Sequence, residues 1–175
     1  MMKMLTLSTI AMTVALMLPA NAEWELACSD ENYRALDFWL GDWDVYNAES
    51  GALAGKSNVS MVNGGCSLLE IWTSSDEHFS GHSMNAYDAH LGHWKHFWVD
   101  TEGSVDIYLG RLDASGGEWI SRSRQAPNRS TPHMHRWSLI RRGDGALIQH
   151  AEFSYDDGNS WSVDYSAILY PRLAD

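Results

Sequence analysis

Gly81-His82-Ser83-Met84-Asn85-Ala86-Tyr87-Asp88, a turn at His90-Leu91-Gly92, and His93-Trp94-Lys95-His96-Phe97-Trp98-Val99-Asp100 decide the fold. Each run repeats with period two, the spacing of a strand whose side chains point alternately to opposite faces. Ser83, Asn85 and Tyr87 share one face of the first run; Trp94, His96, Trp98 and Asp100 share one face of the second. A turn between two such runs reads as an antiparallel hairpin. The same pattern extends in both directions, over 42–48, 55–63, 67–74, 103–111, 117–124, 133–141, 146–155 and 160–170. Turn signals such as Glu49-Ser50-Gly51, Asn63-Gly64-Gly65, Gly143-Asp144-Gly145 and Asp157-Gly158-Asn159 separate the segments. Roughly ten short strands joined by tight turns predict an all-β chain and an antiparallel up-and-down β-barrel, because closure removes exposed edges. A two-sheet sandwich is the alternative. Ser29 or Asp30 can cap a short N-terminal helix running to about Leu36.

The first residues predict export. One lysine, an apolar run from Leu5 to Leu18 and the small-x-small ending Ala20-Asn21-Ala22 form a signal peptide over residues 1–22. The run is shorter than the roughly 20 residues of a spanning helix. Residues 23–175 then form one domain, with no linker dividing them. Loss of Lys3 leaves 11 basic against 23 acidic residues, a formal charge of −12. That balance argues against nucleic acid and anionic membrane as partners, since both need clustered Lys and Arg. In a secreted or periplasmic setting the two cysteines, Cys28 and Cys66, read as one disulfide. A lipid anchor at Cys28 is the rival, opposed by Glu25 where a lipobox wants Leu. Asn58-Val59-Ser60 and Asn128-Arg129-Ser130 match the glycosylation pattern, which arises readily by chance.

Nine tryptophans mark the interior, eight of them in or beside the alternating segments. Trp72 shares a strand face with Glu70, so aromatic and polar residues mix on three successive strands where an ordinary core would place Val, Ile and Leu. Two readings follow. Either Asn85, His96 and Glu70 are buried groups that satisfy one another amid packing tryptophans, or they direct a guest inside a pocket with indole walls. A third arrangement places the polar groups outside. His133 and His135 share a face and could chelate a metal, but spacing fixes no third ligand. No metal or other cofactor is therefore predicted.

Phe38-Trp39-Leu40-Gly41-Asp42-Trp43 carries a Gly-x-Trp start that resembles the lipocalin and calycin superfamily. Gly65-Cys66, Leu68, Glu70 and Trp72, then Gly81 to Asp88, then Trp94 to Asp100, narrow the resemblance. With Arg136, Gln149, Glu152 and Ser154 to Trp161, they resemble an exported bacterial calycin-like family without a settled activity. The resemblance implies a lipocalin-like or nitrobindin-like barrel from about Cys28 to Tyr170. Two departures stand out: His96 where Gln is expected, and Ala151 where an aromatic is common. Nitrobindin-like barrels hold haem through one histidine, for which His135 or His150 would serve, but no local motif supports either. Ser154 to Trp161 also resembles the Asp-box hairpin of sialidases, a structural brace.

The expected function is binding of a small, partly apolar molecule inside the barrel. Trp72, Trp94 and Trp98 would form walls; Asn85, Tyr87, His96, Arg136, Gln149 and Glu152 would orient the guest. An acid–base enzyme of isomerase or lyase type using the same cavity is the second expectation, with Glu70 and His96 as catalytic candidates. Asp100 shares the face of His96 but lies about 13 Å along it, too far to pair. No nucleophile elbow, phosphate loop or dinucleotide fingerprint is present. A scaffold without an interior ligand is the third.

Overall fold

The computed structural model describes residues 27–113, 116–124 and 133–172. The predicted signal peptide and the Asn128 acceptor lie outside them. Ten strands form one closed antiparallel barrel in sequence order, β1 closing onto β10. They are β1 (Gly41–Asn47), β2 (Leu53–Val62), β3 (Ser67–Ser74), β4 (Ser80–Asp88), β5 (His93–Asp100), β6 (Val105–Asp113), β7 (Gly116–Arg124), β8 (His133–Arg141), β9 (Leu147–Ser154) and β10 (Ser162–Pro171). Each matches a predicted segment within a few residues. The sandwich alternative falls, because β1 pairs with β10 from Trp43 opposite Pro171 to Asn47 opposite Ala167.

The expected helix is shorter than predicted. Asp30 caps it, its carboxylate accepting from the amides of Asn32 and Tyr33, but α1 covers only Glu31–Arg34. A 3₁₀ turn, Asp37–Trp39, follows. Gly41, at φ 129°, then admits the chain to β1 in a conformation that a side chain would strain. Leu36, Trp39 and Trp43 are buried beneath this segment, and the Trp43 indole donates to the Trp39 carbonyl at 2.9 Å. Cys28 and Cys66 are bridged, with Cα atoms 5.0 Å apart. The bridge fastens the N-terminal segment to the turn between β2 and β3.

The barrel is filled unevenly. Near the N-terminal segment its interior holds Leu36, Trp39, Trp43, Leu68, Trp94, Leu139, Leu147 and Leu169. Trp119 and Trp137, opposite one another on β7 and β8, stack at 4.2 Å with planes 7° apart. Glycines make room for these rings: a Cβ on Gly110 would come within 2.4 Å of Trp119. Toward the other end, ringed by the β1–β2, β3–β4, β5–β6 and β9–β10 turns, packing gives way to a cavity.

The β9–β10 turn is the braced hairpin. The Ser154 hydroxyl donates to Asp156 at 2.7 Å, and Asp156 accepts from the Ser160 amide at 2.8 Å and its hydroxyl at 2.6 Å. These donors, the Ser160 hydroxyl foremost, hold the Asp156 carboxyl down at about 2. The Trp161 indole donates to the Gly158 carbonyl at 3.1 Å.

Candidate functional site

The cavity holds about 390 Å³, near the lower end of the volumes typical of small-molecule pockets. Trp72, Trp98 and Trp137 form much of its wall, with Phe79, Tyr108 and Tyr165 completing the aromatic lining. Trp98 is fixed at both faces of the problem, bonding and space. Its indole donates to Asp100 at 2.9 Å, and its ring lies over Gly81, where a Cβ would approach within 2.2 Å. Trp72 likewise uses the bare backbone of Gly55, where a Cβ would come within 2.7 Å of its ring.

Strand register assembles the polar groups. Val59 pairs with Glu70 and Ser57 with Trp72 on β2 and β3, while Glu70 pairs with Ser83 and Asn85 with His96 across β3, β4 and β5. A hydrogen-bond chain crosses these strands. The His96 Nδ1 lies 2.8 Å from the Asn85 carbonyl oxygen; Asn85 donates its amide to Ser83 at 2.9 Å; Ser83 donates to Glu70 at 2.9 Å. Ser57 donates to the other Glu70 oxygen, also at 2.9 Å. All five residues are buried. Because a carbonyl only accepts, the His96 proton sits on Nδ1. Burial pushes the His96 pKa down to about 3 and raises that of Glu70, the two serine hydroxyls opposing the latter.

A second chain runs on the facing wall. Tyr108 Oη lies 3.0 Å from His135 Nδ1, and His135 Nε2 lies 3.1 Å from Asp164. The His135 ring is thus bracketed, with the Tyr108 hydroxyl at Nδ1 and the Asp164 carboxylate at Nε2. Asp164 reaches the interior through a bulge: register slips between Val163 and Tyr165, so both Asp164 and Tyr165 line the cavity. A similar slip between Val45 and Tyr46 brings Ala54 to the wall.

The predicted site residues divide into three groups. Trp72, His96, Trp98, Gln149 and Glu70 line the cavity. Asn85 is fully buried behind it, orienting His96, while Trp94 and Tyr87 pack at the filled end, Tyr87 5.3 Å from Tyr33 and 6.0 Å from Trp94. Arg136 and Glu152 are not brought to the cavity. They sit between inward-pointing neighbours, on the outer face, joined at 2.7 Å with the guanidinium 4.0 Å from the Trp161 ring. That phase was already fixed by His135 and Trp137 on either side of Arg136.

Asn85, His96 and Glu70 satisfy one another through Ser83, as the packing reading expects, and Glu70 and His96 also line the hollow. Of the metal candidates, His133 and His135 are both buried, with ring centroids 6.4 Å apart. Among the described residues no cluster of three or more His, Cys, Asp or Glu is placed to hold a metal ion. His150, opposite Ser138 and Ser166, is on the outward phase of β9. Tyr108, Trp137, Asp164 and Tyr165 escaped the sequence reading as site residues; Tyr108 and Trp137 had the correct alternation, whereas the bulge hid Asp164. No protein-family model and no curated protein matches the chain.

Proposed function

We propose that the protein is an exported, calycin-like binding barrel that holds a small, partly apolar molecule in its interior. The observation that carries this reading is the half-filled barrel: close packing at one end and an aromatic-walled cavity of about 390 Å³ at the other. Native interiors leave few voids of such size, since lost packing contacts cost stability. The Gly-x-Trp start and the ordered motifs of β3 to β5 support the calycin-like assignment. A disulfide fits an oxidising compartment, and among the described residues no helix is long and apolar enough to cross a membrane.

The test is binding of the neutral fluorescent reporter N-phenyl-1-naphthylamine to the oxidised protein and to Ala54→Phe, which fills the cavity from its wall. Saturable enhancement in the parent, lost in a folded Ala54→Phe, supports the reading. Equal enhancement in both places the reporter outside and refutes it.

The Tyr108–His135–Asp164 chain favours a second reading, acid–base conversion of the guest. A phenol hydrogen-bonded to an imidazole that in turn contacts a carboxylate is equipped to relay a proton between the guest and that ring. Screening for turnover with the parent and Tyr108→Phe tests it; activity unaffected by the substitution excludes that role.

A further inference from the structure

One side chain narrows the class of guest, given that the cavity binds one as proposed above. His96 is 5 % exposed and lines the hollow. Its Nδ1–H donates to the Asn85 carbonyl at 2.8 Å, so the ring proton is already engaged and Nε2 carries a lone pair. No described residue donates to Nε2. The neighbouring Trp137 indole nitrogen is sealed in packing, whereas Nε2 is not and opens on the cavity.

Neither the proton nor the ring is free to move. Ser83 gives its hydroxyl proton to Glu70 and so accepts from the Asn85 amide. That turns the Asn85 oxygen, not its nitrogen, toward His96. Three rings hold the imidazole as well. Trp98 lies parallel to it, with planes 5° apart, while Tyr108 and Trp137 meet it edge-on with centroids at 5.3 and 4.9 Å. Trp98 is fixed in turn by its bond to Asp100. Burial keeps the imidazole neutral, so Nε2 stays an acceptor near pH 7. An acceptor fixed and buried in this way favours a guest that pairs with it and penalises one that does not.

We propose that the guest is fastened by a hydrogen-bond donor, a hydroxyl or N–H on a compact apolar body, which gives its proton to His96 Nε2 while the body rests against Trp72 and Trp98. This selection acts on a proton and not on net charge. A guest with acceptors alone, an ether or a ketone, would set lone pair against lone pair. A hydrocarbon would strand Nε2 without a partner.

The test displaces N-phenyl-1-naphthylamine from the folded, oxidised protein with 4-ethylphenol, with 4-ethyltoluene, in which a methyl replaces the hydroxyl, and with 4-ethylanisole, whose oxygen only accepts. The phenol displaces the reporter at concentrations at least about tenfold below either of the others, because they leave a buried acceptor unpaired. Nitrogen NMR of protein carrying isotope-labelled histidine reads the contact without any substitution. The His96 Nε2 resonance lies at the position of an unprotonated nitrogen, and the phenol moves it toward the protonated position while the toluene does not. If the reporter enters the cavity but the toluene or the anisole displaces it as well as the phenol does, or if Nε2 does not respond to the phenol, the donor assignment falls and the binding reading stands. If Ala54→Phe leaves reporter binding unchanged, both fall.

Discussion

Acidification should expose the cost of burying His96. The imidazole donates from Nδ1 to Asn85 and has its pKa depressed by burial from 6.5 to about 3. A base with a depressed folded pKa contributes stability that is complete above its unfolded pKa and is lost as pH falls toward the folded one. From pH 7 to pH 4 the unfolded chain protonates this ring and the folded chain does not. At about 1.4 kcal/mol per pH unit below 6.5, the fold loses roughly 3 kcal/mol through this group alone. Glu70 works in the opposite sense: its raised folded pKa costs stability as pH rises past 4.5, and acidification recovers it. His96→Gln separates the two, because Gln keeps an N–H for Asn85, does not titrate, and is the residue the calycin-like resemblance expects. Urea unfolding of both proteins at pH 7 and pH 4 provides the assay. The parent should lose about 3 kcal/mol more than the variant over that interval. Equal losses would refute the assignment of His96 as a buried neutral imidazole.

Gly81→Ala drives a methyl into the Trp98 ring, 2.2 Å from its nearest atom. It should destabilise the fold by about 1–3 kcal/mol, read by thermal unfolding, and weaken reporter binding. Replacing both cysteines with serine removes a bridge spanning 38 residues and should cost about 4 kcal/mol on the chain-entropy account, measured as a lower urea midpoint. Arg136→Ala should leave reporter affinity unchanged in fluorescence titration, because the Arg136–Glu152 pair lies on the outer face. Asp156→Ala removes the acceptor of the braced hairpin and should lower stability by about 1–2 kcal/mol, since turn amides lose their partner; an unaltered melting curve would show the brace to be redundant.

The barrel was readable because its determinants are local. Period-two alternation and turn residues recur in nearly every segment, so ten strands could be delimited without any long-range information. Closure followed only as the economical arrangement, and the β1–β10 pairing had no local signature. The site was readable where alternation held. Glu70, Trp72, His96 and Trp98 obey it and reach the cavity. Trp94 obeys it too, but lies at the filled end, since alternation assigns a face and says nothing about height along the barrel. Arg136 and Glu152 were expected inside on the strength of resemblance, against the phase set by His135 and Trp137. Asp164 was hidden because a bulge inserts one residue and breaks the period. The short helix erred for another reason: the Asp30 cap was legible, but Leu36 is drawn into the barrel end and the chain tightens to a 3₁₀ turn by Asp37.

With Leu36, Trp39 and Trp43 packed into one end, the barrel is a blind-ended cup and not a tube. If the cavity holds a guest, as proposed, that guest would leave by the rim it crossed on arrival, so loading and unloading would pass over the same barrier. A change at the rim that leaves both end states alone would alter the two rates by the same factor. Residence time could thus be tuned without touching equilibrium occupancy.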